Sequence, residues 1–251
     1  MLQLWKKKGR QKDRHIITIN SPKTLLEPEI PGDIILFTQF YLDKNPEHRN
    51  EIIKTLHFNL RNKHINKIYL LNERIYSLDE LQIPKDSKYL VKLEQVNICK
   101  RLQYRDIYDF VEEQKVNGYI IIANADIIFD ETLEVLPKTG LANKKKVFCQ
   151  LRHNMDKQFN YEFLVYGFSQ DAWIYHSIFN VKKEFRSKFQ IYLGNPGCDN
   201  KLVYLYNNLG FKTYNEPKLI KIYHNHKTEQ RAYLYKPLIG ILCHIIPYIE
   251  K

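Results

Sequence analysis

The apolar run Tyr119-Ile-Ile-Ile-Ala123 ends directly on Asn124-Ala125-Asp126, and this junction constrains the fold more than any other stretch of the chain. Consecutive apolar residues, without polar residues at alternate positions, predict a strand covered on both faces, as in a parallel sheet. Asp33-Ile-Ile-Leu-Phe-Thr38, following Pro31-Gly32, reads as a first strand of the same kind. Between the two lie a helical pattern over Glu47 to Asn62 (Ile52, Leu56, Leu60), a strand at Lys67 to Leu71 ending in Asn72-Glu73, and a strand at Tyr89 to Leu93. A helix over Tyr104 to Gln114, with Ile107, Phe110 and Val111 on one face, follows. Alternation of this kind predicts an α/β fold, a mostly parallel central sheet with crossover helices. Further on, Lys146 to Leu151, Tyr161 to Val165 and Lys218 to His224 read as strands. Gly197 to Leu209 reads as a helix closed by Gly210.

A chain of 251 residues suits one core with surface extensions. The expected division is a basic lead-in over 1–30, a domain over 31–236 and an apolar C-terminal helix or tail over 237–251. An apolar fraction of 44% excludes a disordered chain. Lys and Arg exceed Asp and Glu by 39 − 28 = 11, which favours anionic partners. Cys99, Cys149, Cys198 and Cys243 form no C-x-x-C pair and match no zinc spacing, so reduced thiols in a cytoplasmic setting are expected. The N-terminus, with Lys6, Lys7, Lys8, Arg10, Lys12 and Arg14, lacks the apolar run of a secretory signal and reads as a solvated tail or a phosphate grip. No stretch reaches the ~18–20 apolar residues of a spanning helix. The nearest, Leu238 to Ile249, is expected to pack on the core as a helix, with peripheral membrane contact through Lys236 and Lys251 as the alternative.

Ligands of open α/β sheets gather at the carboxyl ends of the strands, and three polar clusters fall at such ends here. In Asn124-Ala125-Asp126, period-two alternation puts Asn124 and Asp126 on one side, a pairing suited to Mg²⁺ or Mn²⁺ and, through it, to a diphosphate. A simple turn is the competing reading, and Asp130 reads as the cap of the next helix. In Gly197-Cys198-Asp199-Asn200, Asp199 falls at a helix N-terminus, either as a cap or as a general base kept ionised by the dipole. In His224-Asn225-His226, with Arg231 and Tyr233 close behind, both imidazoles fall on one face and either can complete a metal site begun by Asp126. Asp171 and Trp173, in Ser169-Gln-Asp-Ala-Trp173, pair an acid with an aromatic in the manner of a sugar subsite. Burial of Trp173 in the core is the alternative.

Taken together, these motifs from Asp33 to Tyr233 resemble nucleotide-sugar glycosyltransferases of the GT-A fold, in particular the small glycosyltransferases of large DNA viruses. The resemblance implies a GT-A-like (Rossmann-like) sheet and a host-cytoplasmic location if the chain is viral. It also implies Mn²⁺ or Mg²⁺ as cofactor, a UDP- or GDP-sugar donor, and a glycan or glycoprotein acceptor. On this reading Thr38, Gln39 and Glu73 would hold the nucleoside, and Arg101 and Arg105 would meet the phosphates. Asn124-Ala-Asp126 would stand in for the Asp-x-Asp motif, with Asn replacing its first acid. Asp126 would then carry the ligation, joined by His224 or His226. Asp199 would be the catalytic base of an inverting transfer, although Cys198 stands where an acid is common.

Two other functions fit parts of the sequence. A nucleic-acid-binding protein would use the net charge and the 18 tyrosines, but the aromatics sit within apolar strands and not among Lys and Arg, so no nucleic acid is expected as a partner. A nucleotidyltransferase would need a Gly-rich basic loop after the first strand, and Thr38-Gln-Phe-Tyr41 is not one.

Overall fold

The structure, a computed structural model, describes residues 16–155, 161–162, 170–225 and 241–248. In chain order it contains β1 (Ile16–Asn20), β2 (Ile34–Thr38), α1 (Pro46–Arg61), β3 (Lys67–Asn72), β4 (Leu93–Asn97), α2 (Tyr104–Glu113) and β5 (Tyr119–Ala123). There follow β6 (Ile127–Phe129), β7 (Lys146–Leu151), β8 (His153–Met155), β9 (Tyr161–Glu162), β10 (Gln170–His176), α3 (Cys198–Asn208), β11 (Lys212–Tyr214), β12 (Ile222–His224) and β13 (Leu242–Ile246).

The central sheet has seven strands in the order β11-β7-β10-β5-β2-β3-β4. β2, β3, β4 and β5 pair in parallel, as do β7 and β11. β10 alone runs antiparallel, to both β5 and β7. Alternation along each buried strand divides the core between the two faces. Leu36, Leu70, Ile121 and Ile174 pack on one side, with Ile52, Leu56 and Leu60 of α1. Phe37, Leu71, Ile122 and Trp173 pack on the other, with α2 and α3. Asn45 caps α1, accepting the Glu47 N–H at 2.9 Å, and Pro46 occupies its first turn. A second sheet, β6-β12-β8-β9, stands beyond the carboxyl end of β5. It is tied to α1 by Asn59, whose amide donates to the Ile127 carbonyl at 2.8 Å and accepts the Phe129 N–H at 3.0 Å.

Several sequence expectations are corrected here. The apolar C-terminal run is a strand and not a helix over its described residues. β13 pairs in parallel with β1, and Cys243 and Ile245 pack against the α3 side of the core. Residues 16–30 are likewise no loose lead-in: β1 and the buried Ser21 and Thr24 belong to the fold, and Glu27 pairs with Lys144 and Lys146. The basic residues from Lys6 to Arg14 lie outside the described residues. The third strand is displaced from Tyr89–Leu93 to β4, because Ser87 caps a 3-10 turn over Lys88–Lys92 that turns Tyr89 and Leu90 onto the core edge. β10 falls where no strand was expected, since its first residues are polar. Of the strand expected over Tyr161 to Val165, only β9 lies within the described residues.

Because Asn59 satisfies two buried backbone groups of β6, Asn59→Ala is expected to lower stability by about 3 kcal/mol. Urea unfolding of the two proteins measures this, with the midpoint falling and the slope unchanged.

Candidate active site

Strand direction alone concentrates polar residues at one edge. β2, β5 and β7 all point their carboxyl ends there, delivering Thr38, Asn124 and Arg152, while antiparallel β10 begins at the same edge and delivers Asp171. Strand order also reverses between β2 and β5: from β2 the chain proceeds outward to β3 and β4, then crosses back through α2 to β5 on the other flank. Ligands of open α/β sheets bind in the crevice at such a switch point; here the crevice is narrow, with a space of about 10 Å³ lined by Thr38, Gln39, Asn124 and Ala125 among others.

Asp126 and His224 meet over this crevice. The turn after β5 carries Asp126, and the end of β12 carries His224. Pairing of β12 with β6 sets His224 opposite Ile127, and the Asn225 N–H bonds the Asp126 carbonyl at 2.9 Å. The Asp126 carboxylate (Oδ2) lies 2.9 Å from His224 Nε2. The Asn225 side chain anchors the strand end to Glu51 and Thr55 of α1. Tyr41, in the loop after β2, lies within reach of the Asp126 charge. Its phenol is pushed up by burial and further by the Asp126 and Asp43 charges, while Arg101 opposes the shift. Arg101 itself donates to the Leu193 carbonyl at 2.8 Å and lies over the Tyr192 ring. Asp126 offers a carboxylate oxygen, which suits Mg²⁺ or Mn²⁺, and His224 an imidazole nitrogen, which the harder Mg²⁺ seldom takes. Among the described residues no group of three or more such side chains converges.

A second chain of contacts starts at Asn124. Its amide donates to Asp171 Oδ1 at 2.7 Å, and the other Asp171 oxygen pairs with Arg152 at 2.6 Å. An acid at position 124 would face the Asp171 carboxylate in a nearly dry setting, so asparagine is the residue that this contact accepts. Asp199 joins from the α3 N-terminus, where Gly197 takes the left-handed φ of +83° that the turn into the helix requires. Burial pushes the Asp199 carboxyl up from 3.8 to about 7. The Asn200 N–H and its own N–H oppose this, Asp171 adds to it and Arg152 opposes it. Asp199, Asp171 and Arg152 thus share one electrostatic neighbourhood. A carboxyl near neutrality suits proton transfer at physiological pH.

On the β3 side, Gln39 donates to Glu73 at 3.1 Å and to the Lys100 carbonyl at 3.3 Å, and accepts the Leu102 N–H at 3.1 Å. Glu73 also accepts from the Tyr76 hydroxyl. Thr38 is buried beside them. Two expected site residues fall elsewhere. Arg105 pairs with Asp109 one turn along α2, at 3.1 Å, and has no contact with the crevice residues. Trp173 is fully buried, its ring edge-on to Tyr104, so it packs the core and offers nothing to a sugar. His226, Arg231 and Tyr233 lie outside the described residues. Arg152 and Tyr41 were not singled out in the sequence. Arg152 directly follows an apolar strand, and that position was the available signal.

No family model matches the sequence, and no curated protein matches it. Solved structures do. GalNAc-T7 with UDP, GalNAc and Mn²⁺ superposes with a TM-score of 0.52 at 10% identity, over 81% of this chain and 46% of that one. The mannosyltransferase PcManGT from Pyrobaculum calidifontis, with GDP-Man and Mn²⁺, superposes with a TM-score of 0.52 at 10% identity, over 84% of this chain and 61% of that one. The chain has the GT-A glycosyltransferase fold. It spans less than two thirds of the length of either solved chain. Within the GT-A fold of this protein, the crevice residues described above sit at the carboxyl edge of the sheet and in the loops that follow it.

The raised Asp199 carboxyl sets a direction for stability against pH. The folded state holds the proton more tightly than the unfolded one, so the contribution is fully present below about 3.8. It is lost as pH rises through about 7. Asp199→Asn is expected to melt above the parent, the gap widening from pH 4 to pH 7, levelling beyond it and bounded at about 4 kcal/mol. Paired melting curves across that range measure it; parallel curves would show that Asp199 titrates normally.

Proposed function

We propose that the protein is a metal-dependent glycosyltransferase that moves a sugar from a UDP- or GDP-sugar to a hydroxyl acceptor with inversion. The observation that carries this reading is the 2.9 Å meeting of Asp126 and His224, two side chains from distant segments, at the switch-point crevice of a GT-A sheet. The Mn²⁺ complexes of the two similar structures, with UDP in one and GDP-Man in the other, support it.

In this mechanism Asp126 and His224 would hold Mn²⁺ or Mg²⁺, which when bound would supply positive charge for the departing diphosphate. Gln39, Glu73 and Thr38 flank the nucleoside, and Arg101 faces the phosphates. Asn124 fixes Asp171, and the Arg152–Asp171 pair shapes the sugar side of the crevice. Asp199 accepts the proton of the acceptor hydroxyl as that oxygen bonds to the anomeric carbon and the bond from that carbon to the phosphate oxygen breaks. The charge that develops is divided between the two flanks of the crevice, so neither set of side chains stabilises both the nucleophile and the leaving group.

Thermal-shift titration with UDP- and GDP-sugars, with and without Mn²⁺, tests the reading. One of them at 100-fold its dissociation constant is expected to stabilise the protein by about 2.7 kcal/mol, in a metal-dependent way. Asp126→Ala is expected to abolish that response, and full metal-dependent turnover in this variant would remove the site. Asp199→Asn is expected to keep donor binding and lose transfer by 10²-fold or more, on the order of a general base's contribution. Loss of donor binding as well would make Asp199 part of the donor site and remove it as the base.

A further inference from the structure

The edge of the sheet opposite the crevice carries an unexplained combination of apolar and cationic side chains. Residues 24–32 form a strap beneath that edge. The strap begins where the Thr24 N–H donates to the Glu216 carboxylate, and Glu27 then meets Lys146 Nζ at the start of β7, at 3.1 Å. Further along, the Tyr119 hydroxyl at the start of β5 donates to the Ile30 carbonyl at 2.6 Å. Two backbone bonds hold the strap in place: Glu27 N–H to the Lys138 carbonyl at 2.8 Å and Ile30 N–H to the Pro137 carbonyl at 2.9 Å. On this fixed backbone Leu25 is 72% exposed, Leu26 57% and Ile30 36%. Ile178, just past the end of β10 at the same edge, is 68% exposed. Large aliphatic side chains gathered at one edge and presented to water mark a contact surface.

The charge around them is positive. Lys138, Lys144, Lys145 and Lys212 are exposed beside the strap and the starts of β7 and β11, and Lys115 and Lys182 are exposed around Ile178. Glu29 pairs with Lys138 at 3.7 Å and Glu27 with Lys144 at 2.6 Å, Glu112 is engaged by Arg186, and Glu113 and Glu184 are exposed beside Lys115 and Lys182, so the positive excess lies mainly beside the strap. A shallow groove of about 440 Å³ runs between Lys115 and Lys182. We propose that this edge rests on an anionic phospholipid surface, with Leu25, Leu26, Ile30 and Ile178 in the interfacial layer and the lysines over headgroup phosphates. The two apolar points lie at different places along the sheet edge, each with its own lysines, and a flat, negatively charged partner engages both at once. Nucleic acid has no use for the aliphatic tips. In this orientation the crevice opens away from the bilayer into the aqueous phase. This contact lies at the edge of the sheet; in the C-terminal run Cys243 and Ile245 lie in the core, and Ile241 and Ile246 are exposed.

Co-sedimentation of the full chain with phosphatidylcholine vesicles, with and without phosphatidylserine, tests the proposal. Binding is expected only with phosphatidylserine and is expected to weaken with salt. It should fall by about ten-fold or more in Leu25→Ser/Leu26→Ser, because both side chains lose their apolar burial. Lys138→Glu/Lys182→Glu should weaken it too, while the nucleotide-sugar response of both variants stays that of the parent. Absence of phosphatidylserine-dependent binding overturns the proposal. So does binding undiminished in both double variants, which would assign it to the basic N-terminal residues. Selective capture of an acidic protein without vesicle binding overturns it as well.

Discussion

In a sheet whose other strands pair in parallel, β10 lies antiparallel between β5 and β7, and the geometry of the crevice follows from that placement. A parallel strand there would have brought its carboxyl end to the crevice and left its amino end at the far edge. Running the other way, β10 presents Asp171 beside Asn124, and its Ala172 pairs with Ala123 at the carboxyl end of β5. The same reversal aligns Gln170 with Leu151, so Arg152 emerges next to Asp171. Three strands thereby contribute to one polar chain, with Asp171 at a register shift in the β10–β7 ladder between Gln170 and Ala172.

That polar chain is arranged so that no charge stands alone in a poorly solvated place. Arg152 offsets Asp171, the Asn124 amide takes the remaining Asp171 oxygen, and Asp199 is left as the group whose proton is easily exchanged near neutrality. Replacing an acid by asparagine at position 124 removes one charge and adds one donor. The exchange makes sense only with Asp171 opposite. On the other flank, Asp126 meets His224 and Glu73 is bonded by Gln39 and Tyr76, so carboxylates line both sides of the crevice, each with its own partner.

Much of this was readable in the residues, and the pattern of misses is physical. The continuous apolar runs of β2 and β5, the i, i+4 spacing of α1, and the Gly197 and Gly210 limits of α3 are local signals, and local chemistry decides them. Asp130 accepts the Thr132 N–H as a cap should, although a 3-10 turn follows it and not an α-helix. Asp126 and His224 were legible as strand-end polar residues. Their contact, however, depends on β12 pairing with β6, which no short window reveals. Three features were decided by partners far along the chain. Leu242–Ile246 is apolar without a clear period, a case in which helix and strand cannot be separated by pattern, and β1 settles it. Trp173 has the composition of a sugar platform, but its alternation with Ala172 and Ile174 sends it into the α2 and α3 side of the core. Arg152 acquires its place only through β10, a strand whose polar beginning hides it.

The pairing of β1 with β13 joins segments from opposite ends of the described chain, Ile16 beside Leu242 and Asn20 beside Ile246. Closing so long a loop carries an entropic cost that contacts between nearer segments do not carry. Until the last strand arrives, β1 has no ladder partner, and the flank of α3 that Cys243 and Ile245 cover stays open to solvent. The topology therefore favours an order of assembly: β2 to β5, close together in sequence, can consolidate before β13 pairs with β1 and seals the seam against α3.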